Sequence, residues 1–99
     1  MNVAEFEQTL SKDEPPPLLA PPVLALWWDA KQAWYKAHDQ VQAADDRAAA
    51  WVHAYLHRKE GDLGNAAYWY HRANRPVAQQ SLAEEWRTIA GTLLSEADR

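Results

Sequence analysis

A chain of 99 residues, 47% hydrophobic and 24% charged, has the size and composition of one globular domain, which excludes the disordered and membrane-embedded classes. Its net charge of -4 argues against a general affinity for nucleic acid, and the absence of cysteine excludes disulfide frameworks and thiolate metal sites. Glu5 and Glu7 stand where a secretory leader would be basic and then apolar, and Pro21 and Pro22 break the short apolar run from Leu18 to Trp28, so a cytoplasmic protein with no membrane span is expected.

The first predicted element is a short amphipathic arm, residues 1–11. Asn2 and Glu5 have capping-box spacing, and Val3, Phe6 and Leu10 recur on one helical face. Residues 12–22 follow as a linker, because the prolines from Pro15 to Pro22 force extended geometry. A helical domain then fills residues 23–99. Pro22 suits the first turn of a helix that reaches about Lys31, and a second helix from Trp34 to Ala44 places Trp34, Ala37, Val41 and Ala44 on one face. Asp45 and Asp46 offer an N-cap to a third, which runs through Trp51, Tyr55 and Arg58 to about Glu60. Gly61 suits the left-handed position that ends a helix, and Asp62 can cap the next, from Leu63 to Ala73. Asn74, Arg75 and Pro76 close that helix. Ser81 and Glu84 form a second capping box for a last helix to about Ala97, with Leu82, Trp86, Ile89 and Leu93 on its apolar side. No segment reads as a strand, so the fold class is all-α.

A shift of 29 residues lays Ala25 on Ala54, Leu26 on Tyr55, Trp34 on Leu63, Ala37 on Ala66, Val41 on Tyr70 and Ala44 on Ala73. Small falls on small and large on large, as expected where paired helices approach through small residues with a bulky neighbour one turn away. With Gly61 and Asp62 at the hinge, Leu63, and Ala66, Tyr70 and Ala73 at helix spacing, the second unit resembles the tetratricopeptide repeat and its Sel-one-like relatives. The first unit departs from that pattern, having Gln32 and Ala33 at the hinge. The strings ALWWDA at Ala25–Ala30 and WVHAYLHRKEGDLGNAAYWYHRA at Trp51–Ala73 also resemble those of a group of small uncharacterised bacterial proteins. The first likeness implies two tetratricopeptide-like hairpins with the last helix as a cap and the N-terminal helix as an arm; the second implies no activity. Two such units bury little, so the arm or a second subunit, as in a homodimer, is expected to cover the remaining apolar edge.

Two constellations are candidates for function. Trp51, Tyr55 and Arg58 form one stripe of the third helix, flanked by Lys59 and matched by Leu26 in the earlier unit. In a repeat of this kind that face lines a concave groove, suited to a protein or peptide partner of anionic character. The alternative is that Trp51 and Tyr55 lie buried beneath the first unit or the arm, since tryptophan, present six times, commonly fills small cores. The groove reading predicts that Arg58→Ala weakens partner capture without shifting the melting temperature.

His53 and His57, four apart on a helix, have the spacing of half a metal site, with Glu60, His71 or His38 as the possible third ligand. The alternative is a pair of structural imidazoles hydrogen-bonded to a Tyr or Glu. The zinc-hydrolase glutamate is missing, as Ala54 follows His53, and the acid pairs Asp45–Asp46 and Glu84–Glu85 read as caps and solvated faces. The reading is therefore a non-catalytic interaction module without a cofactor. Its alternatives are a metal- or His-dependent enzyme built on His53 and His57, and a purely structural, self-associating unit.

Overall fold

Local capping chemistry sets most of the helix boundaries. In the computed structural model, which describes residues 1–97, Asn2 and Glu5 close the expected capping box and start α1 (Val3–Gln8), which a single 3-10 turn extends to Ser11. The proline segment leads into α2 (Pro21–Ala30), where both prolines occupy first-turn positions that need no amide hydrogen. α3 (Trp34–Val41) ends before the expected Ala44, because Asp46 must take extended backbone to accept from the Ala49 amide and cap α4 (Arg47–Glu60). Asp62 caps α5 (Leu63–Ala73), and the Ser81–Glu84 capping box opens α6 (Leu82–Ala97). The described residues contain no strand, and none of their helices is long and apolar enough to cross a membrane. The protein is all-α.

The two interhelical hinges share one hydrogen-bond scheme. Gly61 is left-handed at φ 91°, with its amide donating to the Arg58 carbonyl and the Asp62 amide to that of His57. In the earlier unit Gln32 is left-handed at φ 65°, its amide donating to Asp29 and that of Ala33 to Trp28. Each partner is offset by the interval found in the sequence. Both ends are therefore closed by a 6→1 bond around a 5→2 bond, the arrangement that satisfies the last carbonyls of a helix. The earlier hinge does this without glycine, at a conformational cost of roughly 1–2 kcal/mol.

α4 is the central helix. All nine residues from Ala49 to His57 are buried, so it needs neighbours on every side. α5 packs on it most extensively, α3, α2 and α6 cover the rest, and α2 pairs with α3. The arm closes the far side against α6: Phe6 is buried and stacks on Trp86 at 5.7 Å, and Gly91 leaves room for the Val3 methyl groups. Two tryptophans bind the layers together by hydrogen bonds. Trp86 Nε1 donates to the Leu26 carbonyl at 3.0 Å, and Trp27 Nε1 donates to Thr9 Oγ1 at 3.1 Å. The radius of gyration, 12.4 Å, is that of one compact unit of this length, so neither arm nor proline segment stands away from the body.

Candidate metal centre

The helical spacing of His53 and His57 turns both rings from α4 towards α3, and α3 answers with His38. His38 Nε2 lies 3.0 Å from His53 Nε2, and one nitrogen from each of the three rings falls within 4.8 Å of the others. Imidazole nitrogens bind zinc at about 2.0–2.1 Å, which puts tetrahedral neighbours about 3.4 Å apart; the His38–His53 pair is within that spacing, joined by a hydrogen bond that an ion would replace.

Aromatic packing fixes the rings. Trp34 Nε1 donates to the Leu56 carbonyl at 2.9 Å, which anchors α3 on α4, and the same indole stacks on His38 at 4.9 Å. On the other side Trp69 of α5 stacks on His53 at 4.0 Å. Behind the cluster His57 Nδ1 bonds the Glu60 carboxylate at 2.8 Å, the outer contact that orients a metal-binding imidazole and leaves Nε2 as its donor atom. The Asn65 amide nitrogen lies 3.3 Å from that Nε2.

The electrostatics favour lone pairs over protons. Burial, followed by the proximity of His38 and His57, lowers the pKa of His53 to about 4. Burial and then His57 also hold His38 below its ordinary value, against the opposing pull of Asp39 and Glu60. His53 Nδ1 is buried with no hydrogen-bond partner. Of the partners that the structural alternative named, Glu60 bonds His57, while His53 is hydrogen-bonded to His38. The orphaned Nδ1 costs roughly 1–3 kcal/mol and lies on the opposite edge of the ring from the Nε2 that faces His38, so it is not the atom an ion between those two rings would bind. Of the possible third ligands, His38 joins the cluster, Glu60 stands behind His57, and His71 is exposed on α5.

Leu26, Trp51 and Tyr55 of the stripe expected to line an open groove lie inside the molecule, with α6 packed on α4 and α2, while Arg58 and Lys59 reach solvent at its edge. Leu26 is completely buried, and Trp51, only 7% exposed, is capped by the Arg75 guanidinium 3.8 Å from its ring. Tyr55 donates to Asp29 Oδ2 at 2.7 Å, and Lys59 donates to Asp29 Oδ1 at 2.9 Å. Arg58 donates to Glu85 Oε1 at 2.9 Å and to the Gln80 carbonyl, while the Tyr70 hydroxyl donates to Glu85 Oε2. Burial and the adjoining carboxylates push both tyrosine hydroxyls well above their ordinary pKa. α4 thus holds two buried carboxylates, one on α2 and one on α6. Tyr55 and Lys59 also face a cavity of about 340 Å³ beside Trp86, Arg87 and Leu10.

Glu85 corrects the expectation of a solvated acid pair: Glu84 caps the helix, but the next residue lies about 100° round it and points inward, 1% exposed. Asp29 and Asn65 were not singled out in the sequence, and Glu85 was read there only as part of a solvated pair. Only Asp29 left a trace there, as a carboxylate amid the apolar residues of α2.

The chain matches no protein-family model, no curated protein and no solved structure.

Proposed function

We propose that the protein binds one divalent transition-metal ion, of the class that accepts imidazole nitrogen, through His38, His53 and His57. The observation that carries this reading is the grouping of three imidazole nitrogens within 4.8 Å of one another, two of them 3.0 Å apart. Two further features support it: lowered pKa values at His38 and His53 leave donor lone pairs available near neutral pH, and Glu60 orients the third ring. Nitrogen-only donors of this kind suit zinc, nickel, cobalt and copper over magnesium or calcium. The reading concerns binding and includes no catalytic step.

Equilibrium dialysis of tag-free protein against zinc tests it. One equivalent is expected for the intact chain, with affinity falling at least about tenfold in His38→Ala and in His57→Ala. Uptake well below one equivalent, or uptake that both variants retain unchanged, overturns the reading.

A second reading, a contact between protein surfaces, is supported by large side chains left in solvent on the outer helices: Tyr35 is 81% exposed, with Leu63 and Tyr68 on α5 also exposed. A second copy of the chain is the simplest partner, giving a homodimer in place of the peptide-binding groove. Light scattering over a range of concentrations tests it, and an unchanging monomer mass counts against it.

A further inference from the structure

Resting on the three-imidazole reading, we infer that Asn65 supplies the fourth ligand through its side-chain oxygen, so that the metal is enclosed by protein donors from α3, α4 and α5. Glu60 occupies His57 Nδ1 and so leaves Nε2 as the one lone pair which that ring can offer an ion. The Asn65 amide group stands 3.3 Å from the same Nε2. That separation is long for an N–H···N hydrogen bond, but it is the spacing of two donors on one tetrahedral ion, about 3.4 Å.

An Nε2 that coordinates a metal can no longer accept from the Asn65 amide. Rotating the amide by half a turn exchanges its nitrogen for its oxygen without moving the chain, and presents a lone pair to the position the ion takes. The residue is well placed for this. It sits in the first turn of α5, where its backbone amide donates to the Asp62 cap at 3.3 Å, and its side chain is half-buried against the cluster. Trp34 and Trp69 stack on the ring faces of His38 and His53, so neither of those faces is open to a further ligand. A shell of three nitrogens and one oxygen with no water is the hallmark of a closed site, whereas a centre that works on a substrate keeps one position open.

Cobalt(II) absorption of the full chain, with azide as the competing ligand, tests the inference. In the intact protein the cobalt bands are expected to stay unchanged on adding azide. Asn65→Ala opens the fourth position: cobalt affinity falls about tenfold or more and azide shifts the bands. Asn65→Asp, which keeps the shape and adds a charge, binds more tightly than the intact protein. Circular dichroism identifies any variant that has failed to fold, in which case Asn65→Asp alone decides. If azide shifts the bands of the intact protein, if Asn65→Ala keeps full affinity, or if Asn65→Asp fails to tighten binding, Asn65 is not a ligand. Failure of the intact protein to take up cobalt at all removes the three-imidazole reading itself.

Discussion

Arg58 and Glu85, brought together from α4 and α6, form an ion pair at 2.9 Å in which the carboxylate is 1% exposed. Such a carboxylate is tolerated only because Arg58 and the Tyr70 hydroxyl both donate to it. Arg58→Ala is therefore expected to destabilise folding by roughly 2–4 kcal/mol, somewhat below a fully buried pair because part of the arginine reaches solvent. A loss of that size lowers the melting temperature of a domain this small by about 8–30 °C. Thermal unfolding followed by circular dichroism checks it. An unchanged melting temperature restores the sequence-based view of Arg58 as a surface contact.

Lys59 and Asp29 form a pair with unequal access to water, the lysine side chain being 31% exposed and the aspartate 2%. Removing the lysine strands a buried charge with only the Tyr55 hydroxyl to compensate, whereas an unpaired lysine can turn its ammonium outward. Lys59→Met is expected to cost roughly 2–4 kcal/mol and Asp29→Asn roughly 1–2 kcal/mol. Urea unfolding of both variants tests the order, which matters more than either figure.

The His53 imidazole titrates near 4 in the folded chain and near 6.5 when unfolded. Between those values the unfolded state binds the extra proton, so this contribution to stability is fully present above pH 6.5 and is lost as the pH falls towards 4. With chelator present, urea unfolding at pH 7 and pH 5 should differ by about 2 kcal/mol from this group alone, in favour of pH 7. His38 adds a loss of the same sign. His53→Phe should narrow the difference; a variant that leaves it intact shows that the dependence arises elsewhere.

Phe6 makes the arm part of the core, since it is completely buried and stacked on Trp86. Phe6→Ala is expected to cost roughly 3–5 kcal/mol. It should also expose the proline segment to limited proteolysis. A resistant variant of unchanged stability means that the arm is an accessory.

Helix identity was legible in the sequence wherever local chemistry sets it. The Asn2–Glu5 and Ser81–Glu84 boxes, the Asp46 and Asp62 caps and the left-handed Gly61 all act over a few residues, and each stands where the pattern placed it. Gln32 was less legible, because a left-handed glutamine is imposed by the packing of α2 on α3 and carries no signature of its own. The face carrying Trp51 and Tyr55 depended on where α6 comes to rest on α4, which is a non-local matter. The histidine site lay between these cases. Helical spacing brought His53 and His57 together, but selecting His38 over His71 required the crossing of α3 on α4.

The most direct test of the account is X-ray absorption at the zinc edge on full-length protein loaded with one equivalent of zinc. The spectrum is expected to contain the outer-shell scattering of three imidazoles and a first shell of four nitrogen and oxygen donors at about 2.0–2.1 Å. Scattering from at most one imidazole, or a protein that holds no zinc after desalting, would contradict it.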